Sequence, residues 1–200
     1  GSWGSEGEFS PLNSLEDVAE AIKFLRKEEI SSKYDIDPEN IALLGSSYGA
    51  CMAVTAAARD SSIKHVIFAM GENLAKIFSE IEKKTVLGEM LRKTFQWQYE
   101  DILKGKHFDE LLKESISNKS IFDIDKYAPI LSNRNLLVIG ARQDDLATIE
   151  QHMLPFVRAL QRSKAENLTP VLINDIHTLR NKRMEFLQII TTWLYENRLK

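Results

Sequence analysis

The segment Gly45-Ser46-Ser47-Tyr48-Gly49 has the arrangement G-x-S-x-G. That pattern suits a serine hydroxyl raised as a nucleophile at the tip of a very sharp turn from strand into helix. Small residues on both sides let the chain pass without clashes, and the backbone N–H of Tyr48 then points at the substrate oxygen. Only Ser47 sits at the centre, because a motif centred on Ser46 would need glycine at Leu44 and Tyr48. The plain alternative is a glycine-rich turn used only for close packing. A flanking strand and helix are the context that favours the nucleophile.

A serine hydroxyl needs a base to take its proton. Of the four histidines, His65 lies in a strand, His107 in a charged helical stretch and His152 on a helix. His177 alone follows a strand, in Ile173-Asn174-Asp175-Ile176-His177, and precedes a helix. That puts it on a loop at the carboxyl edge of a sheet, the edge to which Ser47 also belongs. An acid must fix the tautomer of the base and stabilise the imidazolium. The run Gly140-Ala141-Arg142-Gln143-Asp144-Asp145 after another strand supplies it. Asp144 is favoured, with Asp145 the alternative acid, because Asp145 could instead cap the next helix. The order Ser, Asp, His along the chain is a known order for such a triad.

These residues need a frame, and the hydrophobic pattern provides one. Gly1 to Pro11 reads as a loop. Leu15, Val18, Ile22 and Leu25 recur at helical spacing, with Asn13 and Ser14 offering caps and Glu16 and Asp17 in the first turn. Asp35 to Asn40 reads as a turn around Pro38, and Ile41 to Leu44 as a short strand covered on both faces. A buried helix over 48–59 follows, then strands over 64–70, 135–139 and 169–174 and helices over 148–163 and 182–195. Alternating strands and helices predict an α/β protein with a parallel sheet and helices on both faces. The stretch 73–119 holds only helical segments and reads as a helical cap or lid. The expected division is core over 1–72, cap over 73–133, and core carrying the acid and histidine over 134–200. Phe95, Trp97 and Tyr99 in the cap line an acyl or aromatic pocket or pack against the sheet, and packing is the favoured reading.

The residues just quoted resemble the α/β-hydrolase superfamily, in particular its small esterase, dienelactone-hydrolase-like and serine-aminopeptidase-like members. The elbow, the Gly140–Asp145 strand end, and His177 with Trp193-Leu194 in the last helix carry the resemblance. Gly1-Ser2-Trp3-Gly4-Ser5-Glu6-Gly7 also resembles the family turn after the fourth strand. The acid loop departs by an extra residue between Gly140 and the aspartate. The resemblance implies the C-terminal part of an α/β-hydrolase fold, with the first four family strands outside this sequence. The loop supplying the family's second oxyanion donor would be outside it too, leaving Tyr48 N–H as the donor; loss of one donor costs about 10²–10³-fold in rate. The strand at Ile41 to Leu44 would then be an open apolar edge, which invites pairing with another chain or homo-oligomer formation. A fragment of a longer enzyme is the preferred reading, with a partner subunit completing the sheet as the other.

Composition narrows the partners. A chain of 200 residues with 44% hydrophobic and 28% charged residues is ordinary for one globular domain. A net charge of −3 gives no electrostatic reason to expect nucleic acid. No apolar run approaches the ~20 residues of a membrane span. The single cysteine, Cys51, fits a reducing, cytoplasmic compartment and reads as core filling. Neither a phosphate-binding G-K-[ST] nor a dinucleotide fingerprint follows the glycines, and no histidine pair has metal-ligand spacing, so no metal or organic cofactor is expected. The expected activity is acyl transfer from a small-molecule ester. Short peptides or amides come second, and a non-catalytic hydrolase-like module that binds a ligand or partner is the rival.

Overall fold

Four short apolar segments each find a neighbour in register. In the computed structural model, which describes residues 1–197, they are β1 (Ala42–Ser46), β2 (His65–Ala69), β3 (Asn135–Ala141) and β4 (Asn167–Ile173). All pairs are parallel and the order is β1-β2-β3-β4. The connecting helices are α1 (Pro11–Leu25), α2 (Glu28–Tyr34), α3 (Tyr48–Arg59), α4 (Leu74–Glu82), α5 (Val86–Ile102), α6 (Phe108–Ser117), α7 (Ala128–Leu131), α8 (Leu154–Arg162) and α9 (Arg183–Glu196).

The alternation of side chains along the central strands explains the layers. Val66, Phe68, Leu136 and Val138 point to one face, where they meet Leu15 and Ile22 of α1, Ala50 and Val54 of α3, and Phe156 and Leu160 of α8. Ile67, Ala69, Leu137 and Ile139 point the other way, onto Ile190 and Trp193 of α9. Cys51 is a free, fully buried member of the first cluster.

β1 is not covered on both faces. Leu43 packs into the first cluster, but no β1 residue joins the α9 cluster, and Leu44 is 49% exposed. β1 is also an edge strand, with β2 its one neighbour among the described residues. At the other edge β4 accommodates Pro170, which central strands reject.

Two local features differ from expectation. Helix α1 begins at Pro11, and Ser10 is the cap, its Oγ accepting the Asn13 N–H at 3.0 Å. Pro11 suits the first helical position, where no hydrogen bond is lost, so Asn13 and Ser14 fall inside the first turn and Glu16 and Asp17 beyond it. Helix α2 is the second, a short element that the hydrophobic pattern does not mark. It ends at Asp35, which adopts the left-handed conformation at φ 53°.

Between β2 and β3 every element is helical: α4 to α7 and two 3₁₀ turns, Lys119–Phe122 and Ile124–Tyr127. Helix α4 sends Leu74, Ile77, Phe78 and Ile81 into the main core, whereas α5 and α6 share a small cluster of Tyr99, Phe108 and Leu111. Tyr99 therefore packs on Phe108 and Phe9 instead of the sheet, Phe95 touches both clusters, and Trp97 is 67% exposed. The first residues of the chain bind this region as well. Lys104 N–H donates to Gly1 O at 2.8 Å, and Phe9 N–H to Lys104 O at 2.7 Å.

Candidate active site

Ser47 stands between β1 and α3 at φ 54° and ψ −126°, a conformation that costs a non-glycine residue about 1–3 kcal/mol. The turn is held from two sides: Ser47 N–H donates to Ala69 O and Ala50 N–H to Ser47 O, both at 3.0 Å. The two glycines of the motif are not equivalent. A Cβ on Gly45 would lie 2.0 Å from Gly49 O and 2.6 Å from Ala50 Cα, so helix and strand can approach only because Gly45 has no side chain. A Cβ on Gly49 would meet nothing within 4 Å.

The acid comes from the loop after β3. Asp144 Oδ1 accepts the N–H groups of Leu146 at 3.0 Å and Ala147 at 2.8 Å, closing a local turn around the side chain. Asp144 Oδ2 lies 2.7 Å from His177 Nδ1, and its side chain is fully buried. Asp145 is exposed and does not cap a helix; Thr148 holds the cap position, without a side-chain bond.

The histidine loop follows β4. Asp175 organises it by accepting the N–H groups of Ile176 at 2.9 Å and Asn181 at 2.7 Å, together with Asn181 Nδ2 at 3.2 Å. Gln143 N–H donates to Asp175 O at 3.0 Å, which ties the acid loop to the histidine loop. His177 Nε2 then lies 2.9 Å from Ser47 Oγ. With Nδ1–H donating to the carboxylate, Nε2 is the nitrogen free to accept the serine proton.

The electrostatics follow from these bonds. The hydrogen bond to Asp144 raises His177 above its ordinary value, against the opposing effect of burial. Burial works to raise Asp144, but the bonds from His177, Ala147 and Leu146 outweigh it and hold the carboxyl below its usual range. His65 is buried in the core and His107 precedes α6. His152 is buried, accepts the Asn73 N–H at Nδ1 at 3.0 Å, and is lowered to about 4, chiefly by burial. Neither His65 nor His152 bonds to Ser47.

Ser47, Tyr48 and His177 open onto a cavity of about 1310 Å³. Leu87, Leu91, Phe95 and Leu112 are among its apolar lining residues, and Glu72, Lys76 and Asp125 among its polar ones. Among the described residues, no cluster of His, Cys, Asp and Glu could hold a metal ion, and no helix is long and apolar enough to cross a membrane.

Residues 10–198 match the family described as the prolyl oligopeptidase family. The chain belongs to that family. No curated protein sequence matches it. Solved structures do. An esterase of Pyrococcus furiosus superposes with a TM-score of 0.62 at 18% identity, over 91% of this chain and 61% of that one. An α/β hydrolase from the sediment metagenome of the Mar Chica lagoon, Morocco, gives 0.60 at 16% identity, over 95% and 72%. An acylaminoacyl peptidase of Pyrococcus horikoshii gives 0.61 at 18% identity, over 93% of this chain but 28% of that one. The fold of this prolyl oligopeptidase family member is therefore that of the α/β-hydrolases, and the chain spans about three-fifths of the Pyrococcus furiosus esterase.

Two residues of this family member escape sequence reasoning. Asp175 has no motif of its own, though its place two residues before His177 was a usable signal. Glu72, in Met70-Gly71-Glu72-Asn73, has none at all. It reaches the cavity because β2 ends beside β1, which carries Ser47.

Proposed function

We propose that this chain is a serine hydrolase that cleaves a carboxylic ester or related acyl bond through an acyl-enzyme. The observation carrying this reading is the unbroken relay of 2.9 Å from Ser47 Oγ to His177 Nε2 and 2.7 Å from His177 Nδ1 to Asp144 Oδ2. Ser47 Oγ bonds to the substrate carbonyl carbon as its proton passes to Nε2, and the oxyanion takes up the Tyr48 N–H. That N–H opens helix α3, where the first turn leaves donors without intrahelical acceptors. The leaving group departs with the proton from Nε2. Water then repeats the sequence on the acyl-enzyme and restores the serine. Asp144 keeps Nδ1–H in place and offsets the imidazolium charge.

Cleavage of short peptides or amides is the second reading, favoured by the family match and by the likeness to an acylaminoacyl peptidase. The same groups serve both bonds.

Fluorophosphonate labelling of this chain and of Ser47→Ala, with p-nitrophenyl acetate turnover, tests the proposal. Labelling and turnover that vanish in the variant are expected. A folded chain that neither labels nor turns over would overturn the reading.

A further inference from the structure

The segment that carries Glu72 is fixed on both sides of it. Met70, at φ 43°, donates its N–H to Ile139 O at 2.8 Å. Gly71 leaves no room for a side chain, since a Cβ there would lie 2.4 Å from the Phe68 ring and 2.5 Å from Ala50 Cβ. Asn73 is fully buried, donates its N–H to His152 Nδ1 at 3.0 Å, and donates Nδ2 to Asp123 Oδ1 at 2.9 Å. Between these anchors Glu72 lines the same cavity as Ser47 and His177. Among the described residues its carboxyl has no hydrogen-bond partner.

The charges around the cavity do not cancel. Lys76 pairs with Asp125 at 2.8 Å, and Lys83 with Glu80 at 3.2 Å. Of the charged residues lining the cavity, Glu72, Asp123 and Asp145 are left without a cation. A partly buried carboxylate that has lost water without gaining a donor is costly, and a ligand cation or N–H recovers that cost.

We propose that Glu72 is a specificity-determining residue, selecting substrates that carry a cationic group, an ammonium above all, within reach of the scissile acyl bond. This rests on the serine-hydrolase reading of Ser47, His177 and Asp144. The selection is electrostatic, so a carboxylate in the same position is rejected. It also depends on Glu72 being ionised. Burial pushes Glu72 up to about 7, with His177 opposing and Asp144 adding to the rise. Cation preference therefore grows as pH rises through that value. The other charged or titratable groups on this cavity are Lys76, Glu80, Lys83, Asp123, Asp125, Asp145, His152 and His177, with the phenols of Tyr48 and Tyr99.

The test compares two 4-methylumbelliferyl esters of equal shape, those of 4-(trimethylammonio)butyrate and of 5,5-dimethylhexanoate, on the chain and on Glu72→Gln and Glu72→Asp. The ratio of their kcat/KM values is read from pH 5.5 to 8.5. Protonation of His177 acts on both substrates and divides out, as does any rate loss common to both. The expected ratio favours the cation by about tenfold at pH 8, a scale set by one unscreened charge pair in a partly buried site. It falls toward unity at pH 5.5 and at every pH in Glu72→Gln, and is kept in part by Glu72→Asp; a cooperative melt checks that each variant is folded. A ratio near one in the unmodified chain, or one unchanged in Glu72→Gln, overturns the proposal while Ser47 still labels with fluorophosphonate. Loss of labelling and of turnover of both esters would instead overturn the hydrolase reading, and this inference with it.

Discussion

The loops at the strand ends and the helices α4 to α6 line one cavity by different means. On the sheet side, backbone bonds do the positioning: Ser47 N–H to Ala69 O, Gln143 N–H to Asp175 O, and two backbone N–H groups on Asp144. Ser47, Asp144 and His177 are thereby fixed in direction as well as place. On the cap side, side-chain packing does it. Helix α5 contributes Leu87, Met90, Leu91 and Phe95 to the cavity while Val86 and Trp97 stay largely exposed outside it. Backbone geometry tolerates little substitution, whereas an amphipathic helix accepts many side chains of similar size. The groups proposed to react, and Glu72 beside them, thus stand on the unforgiving side, and much of the apolar lining on the adaptable one.

Three changes put that contrast at risk. The largest effect belongs to Asp144→Asn, which keeps the shape of the relay but breaks its charge. A fall in kcat of about 10⁴-fold is expected for an acyl substrate. The neutral imidazole is the active form, so activity rises with pH through the His177 ionisation, which Asp144 holds above its ordinary value. In the variant the rising limb of the pH–rate profile moves to lower pH. A limb that stays where it was would separate Asp144 from the basicity of His177.

Next comes Gly45→Ala, whose Cβ would meet backbone atoms that cannot move aside. A loss of about 3–5 kcal/mol in urea denaturation is expected. An unchanged midpoint would show that the elbow is softer than the geometry implies. The smallest effect is on the cap. Phe95→Ala should lower kcat/KM for hexanoyl relative to acetyl esters by about tenfold, since pocket contacts of this size discriminate by 1–3 kcal/mol. Labelling of Ser47 by a small fluorophosphonate should change far less. Equal losses in both assays would mean that the cap shapes the reacting groups themselves.

Legibility in the sequence followed the same division. Ser47, Asp144 and His177 each sit a few residues beyond an apolar strand, and that local context was enough to bring them to one edge. The alternation of strands and helices likewise gave the parallel sheet. Glu72 also stands three residues beyond an apolar strand, but no motif marks it, and its place beside Ser47 arises only when β2 is laid beside β1. The cap aromatics were read toward the sheet, yet Tyr99 found Phe108 and Phe9, a choice made by the path of the chain and not by helical periodicity. At α1 several residues could cap, and Ser10 won because Pro11 accepts the first helical position.

β1 has one consequence of a mechanical kind. Among the described residues, the strand that leads into Ser47 is joined along its length to β2 alone, while β2 and β3 are held on both flanks. It behaves as a beam clamped along one side. Its stiffness near Ser47 comes from behind, where Gly45 lets α3 press against the strand, and from two struts, Ser47 N–H to Ala69 O and Ala50 N–H to Ser47 O. A load on β1 would be carried to the serine through these few contacts.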